Sequence, residues 1–213
     1  MDIIKKLAQE LTIKEEQAKA AVQLIDEGNT IPFIARYRKE MTGALNDETL
    51  RNLHERLLYL RNLEEKKEQV INAITEQGKM TDDLKKKILA AETLVAVDDL
   101  YRPYRPKKQT RATKAKEKGL EPLANILLLQ ATSKSMEEEA QSFVDEAKGV
   151  TNAKEALAGA KDIIAEMIAD KADYRKSIRN CTMKQGRLVV KAKDEKAESV
   201  YEMYYDFSEE LSK

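Results

Sequence analysis

The longest stretch of this sequence without glycine or proline runs from Ala44 to Gln77, and it is the strongest constraint on the fold. Asn46 can cap a helix near the start of this stretch, and Asp47 and Glu48 place negative charge in its first turn. The stretch predicts a helix of about 32 residues, roughly 48 Å long at the usual rise per residue.

Apolar residues recur along this predicted helix at heptad spacing, but the pattern is interrupted near its middle. Leucine occupies the first four heptad positions and isoleucine the last two, whereas Glu64 and Lys67 stand between them. The positions are 50, 53, 57, 60, 64, 67, 71 and 74. Because a continuous coiled coil needs an unbroken apolar seam, we expect a helix whose two ends pack against different partners.

Composition favours helices over sheets in this chain. Charged residues make up 36% of the sequence, and 7 glycines and 4 prolines supply little of the turn chemistry that sheets require. The fold class is therefore predicted to be all-α, with two long helices. The second long helix is expected over residues 151–180, and 186–193 is the one strand-like segment.

Start and stop signals define several shorter helices. Thr12 with Glu15 and Ser135 with Glu138 have the spacing of capping boxes, and the helix opened by Ser135 is expected to end at Gly149. Further helices are predicted at 2–10, 81–92, 93–101 and 111–118, and from Pro122 to about 130.

Net charge and hydropathy exclude several classes of protein. Lysine and arginine total 38, as do aspartate and glutamate, so any signal for nucleic acid or an anionic membrane must be local. The longest apolar runs, such as Ile126–Leu129, are far too short to span a membrane. With no secretory apolar segment and a single cysteine, Cys181, the chain is predicted to be cytoplasmic.

Cations are concentrated in the segment YRPYRPKKQTRATKAKEK, residues 101–118, which we call the basic loop. It holds eight lysines and arginines and one acid, with tyrosines between the arginines. Single-stranded nucleic acid needs such cations for its phosphates and aromatic faces for its bases. The candidate contacts are Arg102, Arg105, Lys107, Lys108, Arg111 and Lys114. Alternatively, Tyr101 and Tyr104 fill the core while the cations are solvated or pair with the acidic stretch 136–155.

The segment NTIPFIARYRKEMTG, residues 29–43, places apolar and cationic side chains together. Arg36 and Arg38 are further candidate nucleic-acid contacts, although on one helix they diverge by about 200° and meet one ligand only if the segment is extended. The alternative is structural, with apolar residues between helices and arginines pairing with carboxylates. If the segment joins the N-terminal hairpin to the long helix, Phe33 is expected in the core, and Arg36, Arg38 and Lys39 are expected to line a groove at the junction. Replacement of Phe33 by alanine should then cost several kcal/mol.

No catalytic or metal-binding constellation is evident in the sequence. The glycines are isolated, which excludes a glycine-rich phosphate loop, and one cysteine with one histidine cannot form a Cys/His metal site. His54 is interpreted as structural or surface-exposed, and Asp98 and Asp99 face different ways on a helix. We therefore predict that the chain is not an enzyme, with no catalytic residue, metal ligand or cofactor.

Four aromatic residues lie within seven positions near the end of the sequence: Tyr201, Tyr204, Tyr205 and Phe207. Chain termini are usually polar and frayed, so aromatic residues at this density are expected to bury against a surface. We expect either that the sequence is cut from a longer protein or that this tail folds back on the chain.

Three long motifs occur in one order along the chain. They are TIPFIARYRKEMTG, LHERLLYLRNLEEKKEQVINAITEQGKMT and DDLYRPYRPKKQTRATKAKEKGLEPLA. Together they resemble the N-terminal region of the Tex family of bacterial transcription accessory proteins. The resemblance implies an elongated multi-helix assembly with a helix-turn-helix-like unit. It also implies a longer protein that continues into an RNase H-like domain without nuclease activity, helix-hairpin-helix modules and an RNA-binding barrel.

The same resemblance divides the chain into three regions. Residues 1–45 would form an N-terminal hairpin and junction, and residues 46–130 the long helix and basic loop. Residues 131–213 would form C-terminal helices, truncated before the RNase H-like domain.

Two functions are left open by the sequence. In the first, the chain is a scaffold module of a transcription accessory protein that contacts RNA or DNA, mainly through domains outside this chain. In the second, it docks RNA polymerase or other transcription proteins through its helical faces, without touching nucleic acid. Neither function requires a membrane.

Overall fold

The computed structural model describes residues 2–106, 108–194 and 196–212. Its chain contacts define two compact units, which meet in sequence between Tyr101 and Arg102. This division falls inside the region 46–130 that the resemblance treats as one piece. Within the described residues there are eleven α-helices and one small two-stranded sheet, so the predicted all-α fold class is confirmed. Which helices would form the helix-turn-helix-like unit stays a prediction.

The first unit consists of six helices. They are α1 (Ile3–Leu11), α2 (Glu15–Asp26), α3 (Ile31–Tyr37), α4 (Asp47–Glu76), α5 (Asp82–Ala90) and α6 (Leu94–Tyr101). The long helix α4 begins as predicted, because the Asn46 side chain accepts a hydrogen bond of 2.7 Å from the backbone N–H of Thr49. It spans 30 residues and is the element against which the other helices of this unit pack.

The turn between α1 and α2 differs from the prediction. Thr12 is the left-handed C-cap of α1, with φ 55°, and its N–H donates to the carbonyl of Ala8. The helix α2 instead starts after Lys14, whose N–H donates to the side-chain oxygen of Gln17 at 3.1 Å. The predicted Thr12–Glu15 capping box is wrong because α1 extends to Leu11 and uses Thr12 to end its own last turn.

The buried face of α4 runs along the whole helix, but Lys67 interrupts its apolar character, as the sequence predicted near Glu64 and Lys67. The buried positions are Leu50, Leu53, Leu57, Leu60, Leu63, Lys67, Val70 and Ile74. The buried positions step by three residues from Leu60 to Leu63, where the heptad pattern would step by four, so the buried face of the helix rotates there. The N-terminal half packs with α1, α2 and α3, and the rest faces α5 and α6. Lys67 is only 2% exposed, and its ammonium donates to the Leu89 carbonyl in the last turn of α5.

The second unit contains five helices and the sheet. They are α7 (Arg111–Glu117), α8 (Glu121–Leu129), α9 (Met136–Gln141), α10 (Ala153–Ala169), α11 (Ala172–Gln185), β1 (Arg187–Lys191) and β2 (Asp206–Glu210). Helix α10 is central and packs against α7, α8 and α9. Small residues allow this close approach: a Cβ on Gly159 would lie 2.4 Å from Leu120 Cδ1.

Two predicted helices of this unit are shorter in the structure. Ser135 and Glu138 form the predicted capping box, but α9 ends at Gln141, because residues 145–150 form a tight turn that buries Val150. The predicted helix 151–180 is broken between α10 and α11 at Asp170 and Lys171. The Arg175 guanidinium donates to the Ala169 carbonyl at 3.3 Å, which satisfies a backbone group that the break leaves open.

The strand predicted at 186–193 is confirmed as β1, but its partner was not predicted. Strand β2 pairs with β1 in antiparallel register, with Val189 opposite Ser208 and Val190 opposite Phe207. The aromatic tail therefore folds back on the strand before it. Even so, all five residues of β1 remain exposed. No helix in the described ranges is long and apolar enough to cross a membrane.

Candidate nucleic-acid interface

The basic loop leaves α6 through a single 3-10 turn, Arg102–Tyr104, and enters α7 at Arg111. Tyr101 and Tyr104 are half-buried, which limits the area of either ring that a base could cover. Lys107, one of the predicted contacts, lies outside the described residues.

Acids on α10 hold the basic loop at Arg102 and at Thr110, the residue before α7. Asp162, Glu166 and Asp170 follow at four-residue spacing and therefore share one face of the helix, which we call the acidic stripe. Asp170 accepts a 2.8 Å hydrogen bond from Arg102 Nε. Glu166 accepts one of 2.8 Å from the Thr110 hydroxyl.

The third acid of the stripe reaches the start of α7. Asp162 lies 3.5 Å from a terminal guanidinium nitrogen of Arg111. The sequence suggested partners for the loop within 136–155, and that assignment is wrong for Arg102 and Arg111, because α10 rather than α9 runs beside the loop. The four-residue spacing of the stripe could have been read from the sequence.

Several described cations of the basic loop remain open to solvent. Arg105, Lys108 and Lys114 are exposed, and the Arg111 side chain is 86% exposed despite its contact with Asp162. Neither Lys108 nor Lys114 has an ion pair with any described residue. The structure therefore places four of the predicted contacts where a phosphate backbone could reach them.

A cleft of about 410 Å³ lies beside the first turn of the loop. It is lined by Pro103, Lys116, Ile163, Glu166, Met167, Asp170 and Lys171. Two acids and two lysines share this lining, so the cleft offers no net attraction for an anion. The candidate contacts Arg105, Lys108, Arg111 and Lys114 do not line this cleft.

Helix α3 carries the other predicted pair of cations. Ile34 is fully buried and Ile31 half-buried, so the structural role of the apolar residues is retained. Phe33 is 36% exposed, and its predicted place in the core is wrong. Consecutive side chains on an α-helix are rotated by about 100° around its axis. Ile34 therefore faces α4 while Phe33 points to solvent.

Phe33 belongs to a surface patch at the C-terminal end of α3. We call the group Phe33, Arg36, Tyr37, Arg38 and Lys39 the α3 surface. The rings of Phe33 and Tyr37 have centroids 5.3 Å apart, and the Arg38 guanidinium carbon lies 5.2 Å from the Phe33 centroid. Tyr37 is 60% exposed, so its ring is open to a ligand.

Arg36 and Arg38 meet at one recess despite their two-residue spacing. Arg38 is the C-cap of α3 with φ −126°, so it has left helical geometry and escapes the divergence expected on a continuous helix. The recess holds about 440 Å³ and is lined by Arg36, Tyr37, Arg38, Lys39, Glu40 and Met41.

The turn after α3 is fixed by hydrogen bonds from the Gln17 side chain. Thr42 is fully buried, and the Gln17 amide donates to the carbonyls of Thr42 at 3.2 Å and Gly43 at 3.0 Å. Gly43 has φ +60°, and a Cβ there would lie 2.6 Å from the Gln17 amide nitrogen. Sequence patterns did not reveal this clamp, which holds the backbone that carries Arg38 and Lys39 in one conformation.

Residues considered for other chemistry do not converge. His54 is half-buried on α4, and Cys181 is exposed on α11. Asp98 pairs with Lys66 at 3.7 Å, and Glu138 caps α9. Among the residues that the structure describes, no three His, Cys, Asp or Glu side chains are grouped as a metal site would require.

Comparison with known families finds two matches in this chain. The model described as Tex-like protein N-terminal domain matches residues 1–75, which include the α3 surface. The model described as Tex central region-like matches residues 131–213, which include the acidic stripe.

Curated relatives agree with these matches. The chain is 46% identical to Protein YhgF of Escherichia coli over 97% of its length and 44% identical to Transcriptional accessory protein Tex of Neisseria gonorrhoeae, again over 97%. It is 31% identical to the human S1 RNA-binding domain-containing protein 1 over 86% of its length. It spans 27% of each bacterial relative and 18% of the human one. The chain belongs to the Tex family and corresponds to the N-terminal part of its longer members.

Proposed function

We propose that this chain is the N-terminal scaffold module of a cytoplasmic transcription accessory protein and that it binds RNA or DNA directly. The names of two relatives support this, one being a transcriptional accessory protein and the other an S1 RNA-binding domain-containing protein. The module works by holding charged surfaces in fixed positions and catalyses no reaction. RNA polymerase or other transcription proteins are its expected protein partners.

One observation carries the nucleic-acid part of the proposal: the basic loop is anchored to the acidic stripe at Arg102 and Thr110, while cations near these anchors and on α7 are exposed. Anchoring reduces the conformational entropy that such cations would lose on binding. Lys108, Arg111 and Lys114 then offer phosphate contacts that release counterions, which makes the affinity dependent on salt.

The test is a titration of the chain with single-stranded RNA at several salt concentrations. The variant Lys108→Glu, Arg111→Glu and Lys114→Glu should bind more weakly and show a flatter salt dependence, by about 0.7 in log–log slope for each phosphate that the variant no longer neutralises. A matched control reverses three exposed lysines elsewhere in the second unit, Lys154, Lys176 and Lys184. Equally weakened binding in both variants would overturn a specific role for the loop.

A second candidate function is protein docking, which a different surface favours. Helix α11 buries none of its residues, and strand β1 is exposed along its whole length. Large apolar side chains that remain exposed on these elements and in the segment between β1 and β2 include Ile178, Met183, Leu188, Val189, Tyr201 and Met203. Several exposed apolar side chains in one part of the chain favour a protein interaction site.

Docking is tested with purified RNA polymerase by size-exclusion chromatography. If this surface is the contact, Val189→Asp combined with Met203→Asp abolishes co-elution, while the loop variant with three charge reversals still co-elutes. Co-elution that survives the aspartates would remove the α11 and β1 surface from consideration.

A further inference from the structure

The arginines of the α3 surface differ from the other arginines of the first unit, Arg51, Arg56 and Arg61, each of which has an acidic partner. Arg56 pairs with Glu10, and Arg61 pairs with Asp26 at 2.7 Å. By contrast, no carboxylate lies within salt-bridge distance of Arg36, Arg38 or Lys39 in the part of the chain that the structure describes. Three positive charges are thus gathered around one recess with a single acid, Glu40, in its lining.

The end of a helix explains only part of this arrangement. Cations near a helix C-terminus are favoured by its partial negative charge, which accounts for Arg36 in the last turn of α3. That effect gives no reason for two aromatic rings to stay exposed beside the cations. The rings of Phe33 and Tyr37 lie against each other beside the cations, so the surface offers a flat apolar face next to positive charge.

We infer that the α3 surface is a second nucleic-acid site, which binds an unpaired base on Tyr37 and the flanking phosphates on Arg36, Arg38 and Lys39. Phe33 supports the platform from one side, and the guanidinium of Arg38 is held against it. The hydrogen bonds of Gln17 fix the turn, so the cations are positioned before the ligand arrives. This inference rests on the proposed nucleic-acid function but uses a surface separate from the basic loop.

The chemistry selects single strands over duplexes. A base in a duplex is stacked on both faces and cannot reach a ring on the protein, whereas an unpaired base offers a free face. A single strand presents bases and phosphates in alternation, which matches the ring of Tyr37 with cations beside it. The basic loop, whose tyrosines are half-buried, provides no comparable ring.

The absence of tryptophan from the sequence allows a direct test. The variant Tyr37→Trp places one tryptophan on the platform, and stacking of a base quenches its emission. Addition of a short single-stranded RNA of mixed sequence should quench this emission to saturation, and the matching duplex should not. The control is Tyr174→Trp on α11, where Lys171 lies over an exposed tyrosine ring at 4.9 Å and no change is expected.

Affinity measurements on the unlabelled chain complete the test. Replacing Tyr37 with alanine should weaken single-stranded RNA binding by about 5- to 150-fold, the range that removal of one stacked base produces. Arg36→Gln with Arg38→Gln should flatten the salt dependence by about 1.4 in log–log slope. The control pair Arg51→Gln and Lys87→Gln removes two cations that already have acidic partners and should change neither quantity.

Each outcome supports or overturns the inference. Quenching at position 37, with none at position 174, supports it. RNA binding that depends on the basic loop but leaves the position 37 emission unchanged overturns this inference and preserves the proposed function. A chain that binds no RNA at low salt overturns both. Emission at position 37 that responds to RNA polymerase and not to RNA shows that the surface docks protein instead.

Discussion

The basic loop and the α3 surface contain the same types of side chain, but their surroundings differ. In the loop, Arg102 is tied to Asp170 and Arg111 lies near Asp162, so part of the charge is neutralised within the chain. On the α3 surface, Arg36 and Arg38 have no acidic partner in the described residues, and the aromatic ring of Tyr37 beside them is exposed.

The difference shows that the density of cations in a sequence does not measure the charge available to a ligand. The loop has by far the larger surplus of positive charge in the sequence, yet α10 supplies an acidic stripe along its ends. The α3 surface has fewer cations, but no acid in the described residues pairs with Arg36, Arg38 or Lys39. We therefore expect the loop to contribute general attraction to phosphates and the α3 surface to contribute selectivity for unpaired bases.

The largest expected effect concerns the two faces of α3. Ile34→Ala removes a fully buried side chain next to α4 and should lower the free energy of unfolding by about 2–5 kcal/mol. Phe33→Ala, one residue earlier, should cost less than about 1 kcal/mol, because the ring is partly exposed. Urea denaturation of both variants measures the difference. Equal destabilisation would place Phe33 in the core and remove it from the α3 surface.

Neutralising the acidic stripe should leave the loop cations without charged partners, as the cations of the α3 surface already are. The variant Asp162→Asn, Glu166→Gln and Asp170→Asn should lose about 1–3 kcal/mol of stability, because charge-assisted hydrogen bonds to the loop are weakened. The same variant should bind RNA more tightly, with a steeper salt dependence, since Arg102 and Arg111 become available.

A matched control separates this effect from a change in overall charge. Glu137→Gln, Asp173→Asn and Glu198→Gln remove three exposed acids elsewhere in the second unit. If the control tightens RNA binding as much as the stripe variant does, the stripe has no specific role in shielding the loop.

The turn that carries Arg38 should be sensitive to a single methyl group. Gly43→Ala should destabilise the chain by about 1–2 kcal/mol, because φ +60° disfavours a side chain and the new Cβ crowds the Gln17 amide. RNA affinity at low salt should fall with it, since the cations lose their fixed position. Ala44→Gly, at a neighbouring φ of 60°, should slightly stabilise the turn instead. Thermal melts of the two variants compare these opposite effects.

The smallest expected effect is the pH dependence of the paired arginines in the first unit. Hydrogen bonds from Arg56 and Arg61 hold the pKa of Glu10 and of Asp26 below their ordinary values of 4.5 and 3.8. A carboxyl group whose pKa is lowered on folding stabilises the fold at pH values above its ordinary pKa. This stabilisation is lost as the pH falls through the lowered pKa. Because these pairs lie at the surface, each should contribute less than about 1 kcal/mol.

The midpoint of urea unfolding, measured at several pH values from neutral into the acid range, shows whether stability falls as predicted. The double variant Glu10→Gln and Asp26→Asn should show a flatter loss of stability below the ordinary carboxyl pKa than the unmodified chain. Its RNA affinity at neutral pH should be unchanged, because both acids pair with arginines of α4 and not with the α3 surface cations. An altered affinity would mean that the two sets of charges are coupled.

Local signals allowed much of the fold to be predicted from the sequence. The cap at Asn46 and the absence of glycine and proline located α4, and the strand-like run at 186–193 located β1. The break between α10 and α11 could not be predicted, because no glycine or proline marks it. It depends on contacts such as Arg102 with Asp170, which are distant in sequence.

The candidate site was predicted mainly as a set of residue types, with a groove expected beside Arg36, Arg38 and Lys39. Sequence spacing predicted that Arg36 and Arg38 would diverge, and the C-cap geometry of Arg38 brings both to one recess. The shielding of the loop depends on α10, more than fifty residues away in sequence, and so it is visible only in the folded chain. Secondary structure follows from neighbouring residues, whereas the available charge depends on tertiary contacts.

The most direct test of this account compares the affinities for single-stranded and duplex RNA of identical sequence. In the variant Phe33→Ala with Tyr37→Ala, the preference for the single strand should disappear. In the variant Lys108→Gln, Arg111→Gln and Lys114→Gln, both affinities should fall together and the preference should remain. A single-strand preference that survives removal of the α3 aromatic residues, or that disappears with the loop cations alone, would contradict the assignment of selectivity to the α3 surface.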